Sequence, residues 1–135
     1  IGIAISDPGL MVASPLETIA RKKFTLDAER LEALIADRNV GGLVFGWPVN
    51  MDGSEGPRCQ STRQFVRNME QLRGFTLPVA FWDERLSTAA IERFLINEAD
   101  MTRGRRDAVV DKTAAAYILQ GALDALAQAK TSQLT

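Results

Sequence analysis

Two acidic positions carry the most chemical promise. In Asp83-Glu84-Arg85-Leu86-Ser87-Thr88, paired carboxylates follow the apolar run Val79-Ala80-Phe81-Trp82. A strand that ends this way delivers acids to the carboxyl edge of a sheet, where open α/β sheets bind ligands. Strand alternation sends Asp83 and Glu84 to opposite faces, so one of the two enters a given site. The plainer reading pairs Asp83 with Arg85 and leaves Ser87 to cap a helix. The second position is Asp111-Lys112, which follows Val109-Val110 at the expected start of the last helix. A negative charge suits the positive end of the helix dipole there, and that alone would account for it. Taken together, two converging carboxylates offer hard oxygen ligands to Mg²⁺ or Mn²⁺. A two-metal phosphodiester site usually uses a third.

Two segments supply polar and cationic groups. The run Asn50-Met51-Asp52-Gly53-Ser54-Glu55-Gly56-Pro57-Arg58 reads as a long loop, and a loop that long in a small domain is often functional. Asn50 and Arg58 suit a phosphate or a base, since the guanidinium fork donates bidentately. Arg103, Arg105 and Arg106 cluster in the expected loop Met101–Arg106, the kind of group that clamps backbone phosphates. Either segment reads equally as a solvated loop. The basic run Arg21-Lys22-Lys23 reads as the solvated end of a strand.

What is missing narrows the chemistry. The chain of 135 residues has no histidine, which excludes Ser-His-Asp and Cys-His catalysis and imidazole zinc sites. It has one cysteine, Cys59, so no internal disulfide forms and a reducing cytoplasm is the expected location. Cys59 itself reads as a small packed hydrophobe. Lys and Arg number 16 against 17 Asp and Glu, a net charge of −1. Nucleic-acid binding must then come from local patches and not from a bulk basic field. The apolar stretch Val40–Val49 is far short of the ~20 residues that span a membrane.

These groups need a scaffold. Ile1–Ser6 alternates as a strand does, and Asp7-Pro8-Gly9 forms a turn. Leu10–Ala13 and Leu16–Ala20 read as two further short strands of an antiparallel meander. Thr25 suits an N-cap, and Leu31, Leu34 and Ile35 mark a helix ending near Asn39. Leu43-Val44-Phe45 reads as a buried strand. A helix striped by Phe65, Val66, Met69 and Leu72 follows, then the Trp82 strand. A third helix with Ile91, Phe94 and Leu95 on one face starts at Ser87 or Thr88. A last helix, periodic from Ala115 to Leu126, starts near Asp111. Trp47, Trp82 and the phenylalanines read as core and not as stacking platforms. The order implies one α/β domain over residues 1–135, with a mixed five-stranded sheet, three antiparallel strands followed by parallel ones, flanked by helices. Because Ile1 opens directly into a strand, the N-terminus is expected to be incomplete.

The segments IGIAISD (1–7), ASPLETI (13–19), GLVFGWPVNMDGSEGPR (42–58), FWDERLST (81–88) and DKTAAAYILQGALD (111–124) resemble the YqgF family. Its RNase H-like members are described as Holliday-junction-resolvase-like and as pre-16S rRNA nucleases. The resemblance covers nearly the whole chain. It implies an RNase H-like fold and a metal-dependent phosphodiester nuclease with three acidic positions. Two of these map to Glu84 and Asp111, as catalytic residues and ligands of Mg²⁺ or Mn²⁺. The third, an Asp in a Gly-x-Asp-x-Gly-type motif, is expected upstream of Ile1, and Asp7 does not replace it. Arg85, Lys112, Arg103, Arg105, Arg106, Asn50 and Arg58 are the expected substrate-binding positions. The favoured substrate is the 5′ end of precursor 16S rRNA in ribosome biogenesis, with a four-way DNA junction as rival. Ribosomal particles are expected partners, and the protein is expected as a monomer or homodimer. A non-catalytic RNA-binding assembly factor is the competing class, and it would tolerate Glu84→Gln. A sugar-kinase-like ATP binder would need a second domain that 135 residues do not hold.

Overall fold

In the computed structural model of the chain, residues 1–50, 52–86 and 103–134 are described, with side chains described throughout except in 103–110 and 130–134. The elements run β1 (Gly2–Ser6), β2 (Ala13–Thr18), α1 (Phe24–Arg38), β3 (Leu43–Trp47), α2 (Pro57–Arg73), β4 (Val79–Asp83), a 3-10 turn (Glu84–Leu86) and α3 (Arg103–Leu134). They divide into two units, Ile1–Thr18 with Glu84–Thr135, and Ile19–Asp83. Strand pairing respects that division. β1 pairs antiparallel with β2, and β3 pairs parallel with β4. The described residues thus form a mixed α/β structure with four strands in two pairs. The helix expected from Ser87 or Thr88 lies outside them.

In the first unit, β1 and β2 pack on α3, whose Ala114, Ile118 and Leu123 are buried. Gly2 sits so close to that helix that a methyl group there would overlap the Asp111 carbonyl and lie 2.9 Å from the Lys112 amide nitrogen. The expected strand Leu10–Ala13 is instead irregular as far as Val12, and β2 runs from Ala13 through Ser14-Pro15 to Thr18, so two antiparallel strands stand among the described residues where three were expected. Asp7 is the cause. Its Oδ1 accepts the amide N–H groups of Met11 at 2.7 Å and Val12 at 2.9 Å, which removes those donors from a ladder. These bonds, Val12 foremost, hold the Asp7 carboxyl below its ordinary pKa. Gln120 of α3 secures the far side of the turn, accepting from the Ala13 amide and donating to the Met11 carbonyl, each at 2.9 Å.

The second unit is built around aromatic rings. Phe24 of α1 meets Phe65 of α2 edge-on at 5.3 Å, and Phe65 lies 6.2 Å from Phe45 of β3. Phe45 and Trp47 both reach Phe81 of β4, at 6.1 and 5.0 Å. Ala28, Leu34, Cys59, Val66 and Met69 complete the core, so Cys59 packs as the small hydrophobe expected. Strand β3 is half-buried, with Val44 exposed. Helix α1 begins one residue before the expected cap. Lys23 is the N-cap, without a side-chain cap bond, and Asp27 reaches back to the Lys22 amide at 3.3 Å. At the other end Asn39 closes α1 in a left-handed conformation, as the sequence suggested. Arg73 grips Glu32 through two bonds, Nε–Oε1 at 2.6 Å and Nη2–Oε2 at 3.2 Å, joining α2 to α1. The pair lowers the Glu32 pKa and raises that of Arg73. Among the described residues no helix is long and apolar enough to cross a membrane.

Candidate active site

Glu84 and Asp111 belong to the same unit. β4 ends at Asp83, and the chain turns at once into the 3-10 turn that Glu84 opens. That turn packs against α3, the helix that carries Asp111. Glu84 is half-buried and Asp111 exposed. Arg85 is exposed on the same turn, and Lys112 is half-buried beside Asp111.

The sequence pattern predicts a helix start near Asp111. Asp111 does not open its helix. α3 starts at Arg103, so Asp111 lies two turns in, beyond the reach of the N-terminal dipole, whose effect fades within the first turn. Its place is set by packing, through the close approach of Gly2 to its backbone. The same shift moves Arg103, Arg105 and Arg106 from a loop onto the first turn of α3; their side chains are outside those described. Among the described residues, no three carboxylates or thiols cluster as a metal cage.

Asn50 and Arg58 lie in the other unit. The loop between β3 and α2 is well tied. Asn50 donates twice to Ser54, from its amide N to the carbonyl O at 2.9 Å and from Nδ2 to Oγ at 3.0 Å. Asp52 Oδ1 accepts from both the amide and the hydroxyl of Ser54. One amide hydrogen of Asn50 is therefore spent inside the loop. Gly56 caps α2, Pro57 fills its first turn, and Arg58 stands exposed there. Pro at N1 costs no hydrogen bond, because that N–H has no helical partner anyway.

A residue the sequence reading passed over holds this loop in place. The Arg63 guanidinium lies 5.1 Å from the centre of the Trp47 ring, and its Nη2 meets Glu55 Oε2 at 3.0 Å. Trp47 is the register partner of Asp83. Arg63 thus links the loop to the end of β3. A cation–π contact with one side engaged by a carboxylate fixes both partners. Only the Arg at a helical position facing the loop hinted at it, and that hint needs the fold.

A family profile described as RuvX, Holliday junction resolvase, matches residues 1–125. Proteins named "Putative pre-16S rRNA nuclease" are similar over nearly all of the chain. That of Roseobacter denitrificans is 61% identical over 133 residues, 98% of this chain and 81% of its own. That of Rhodospirillum rubrum is 62% identical over 133 residues, with the same coverage. That of Rhodospirillum centenum is 64% identical over 131 residues, 95% of this chain and 69% of its own. The acid-bearing turn, the helix packed on it and the tied loop all fall within the matched residues, and the chain belongs to the RuvX (YqgF) family.

Proposed function

We infer that this chain is a phosphodiester nuclease whose reaction centre includes Glu84 and Asp111. The observation that carries the reading is the packing of the Glu84 turn on the helix that bears Asp111, within one unit. The names of its relatives support an rRNA precursor as substrate. We take the 5′ end of precursor 16S rRNA as the favoured target and a ribosomal particle as its setting. The family description keeps a four-way DNA junction as the second reading.

The donor chemistry fits Mg²⁺ or Mn²⁺. Glu84 and Asp111 provide hard oxygens, and Mg²⁺ characteristically takes one or two carboxylates and completes its shell with substrate phosphate and water. When bound, such an ion would make a water more acidic and stabilise charge on the phosphate. The chain's own residues do the rest. Glu84 and Asp111 orient the hydrolytic centre, and Arg85 and Lys112 neutralise the phosphate beside them. Arg103, Arg105 and Arg106 sit on the first turn of the same helix, for the flanking backbone. Asn50, on the tied loop, and Arg58, on the first turn of α2, are further proposed substrate-binding positions, both in the second unit. The frame is read as one RNase H-like domain with a five-stranded sheet, acting in the cytoplasm as a monomer or homodimer.

The test is cleavage of a precursor 16S 5′ leader and of a four-way junction, side by side, with Mg²⁺, with Mn²⁺ and after chelation. Metal-dependent cleavage of the leader supports the reading. Preference for the junction selects the second one. Cleavage unaffected by chelation overturns the metal-carboxylate mechanism.

A further inference from the structure

The run Arg21-Lys22-Lys23 has no part in the site above. It leads directly into α1, with Lys23 as the N-cap in extended conformation. All three residues are exposed. Helix N-termini carry a partial positive charge and favour anions, so three successive cations there run against the local preference. Where a sequence breaks a local rule, a ligand is a common reason.

The acids nearby do not neutralise the lysines. Asp27, the acid of the first turn, is only 2% exposed. It is turned back on the chain, where Oδ1 accepts the Lys22 amide at 3.3 Å and Oδ2 lies 3.9 Å from Arg21 Nε. Its role is to fix the backbone of the run. Glu32 is engaged by Arg73, and Glu29 also acts on Arg73. Among the described residues, no carboxylate lies within ion-pair distance of the Lys22 or Lys23 ammonium. Below them, Phe24 locks the first turn of α1 onto Phe65 of α2. Two unneutralised ammonium groups, at the positive end of a helix and on a backbone pinned by a buried acid, form a preset anion-binding surface.

We propose that Arg21, Lys22 and Lys23 form a docking surface for the phosphodiester backbone of a nucleic-acid strand, apart from the bond that is cut. The identity of the partner rests on the nuclease reading; the surface itself rests on the charges. Contacts of this kind add affinity without reading sequence, and they are salt-dependent.

The experiment measures binding of a fluorescent 20-nucleotide single-stranded RNA and its DNA counterpart by anisotropy, across a KCl series. The variants are Lys22→Gln/Lys23→Gln and Lys22→Glu/Lys23→Glu, with Arg38→Gln as control. Arg21 is left intact because it touches Asp27. Each phosphate contact on a single strand contributes about 0.7 to the log–log salt slope. The double Gln variant should lower the slope by about 1.4 and weaken binding about 25-fold at 0.1 M salt, on either strand. The Glu variant should lose more. Arg38→Gln should change neither quantity, since that charge sits at the opposite end of α1, ~20 Å away. Circular dichroism should match the wild type, as the replaced side chains are exposed. An unchanged slope in the double Gln variant, or no strand binding by the wild-type protein, overturns the proposal. Lysine-dependent binding without cleavage at any metal concentration would uphold this surface and remove the nuclease reading.

Discussion

Replacing Gly2 by Ala tests how Asp111 is held. The added methyl would overlap the Asp111 carbonyl and press on the Lys112 amide. These are backbone atoms of a long helix, so no side-chain rotation relieves the contact. Either β1 or α3 must move, by about 1 Å or more. Overpacking of this kind costs about 1–3 kcal/mol. For a chain of this length, that lowers the melting temperature by roughly 3–15 °C. The displacement falls on the residue whose carboxylate we propose for the hydrolytic centre, and a misplacement of about 1 Å can cost about 100-fold in rate. Thermal unfolding and single-turnover cleavage of the RNA leader measure the two effects. A Gly2→Ala protein with wild-type melting and wild-type cleavage would refute the claim that β1 sets the position of Asp111.

Further predictions concern stability and the loop. Glu32 has a lowered pKa in the folded protein, so its pair with Arg73 adds stability above the ordinary value of 4.5, and that stability is lost as pH falls below it. Urea unfolding across pH 3 to 7 should show a flatter acid limb for Glu32→Gln than for the wild type. Met69 is 1% exposed, and Met69→Ala should cost about 2–5 kcal/mol by the same measurement. Arg63→Ala removes the Trp47 contact and the Glu55 bridge. It should cost about 1 kcal/mol and should speed proteolysis within residues 48–56.

Much of this architecture is legible in the sequence because the signals are local. Asn39 stops α1 at the expected place, whereas α2 starts at Pro57 and takes in Arg58, which the sequence reading leaves in the loop. The Asp-Glu-Arg run does sit at the end of a strand. The misreadings share a cause, which is competition settled by contacts distant in sequence or by one side chain. Leu10-Met11-Val12 looks like a strand by composition, yet Asp7 takes two of its amides and Gln120 of α3 fixes the rest. Gly104 and the arginines around it suggest a loop before Asp111. Arg is a good helix former, and one glycine costs only about 1 kcal/mol, so the helix extends through them. Arg63 was hidden because its partners, Trp47 and Glu55, meet it only once β3 and α2 pack. The placement of Glu84 just past a strand and of Asp111 on the last helix is legible, but not the strand glycine packed against the Asp111 backbone.

The proposed role of Glu84 is chemistry on a phosphodiester. The most direct measurement is single-turnover cleavage of the precursor 16S 5′ leader by the wild-type protein and by Glu84→Gln, at saturating Mg²⁺ or Mn²⁺, with folding checked by circular dichroism. The variant should fold, bind the leader and lose cleavage by about 100-fold or more, the scale of losing one charged group in a preorganised site. Equal cleavage by the two proteins would contradict that role, and so would the absence of cleavage by either.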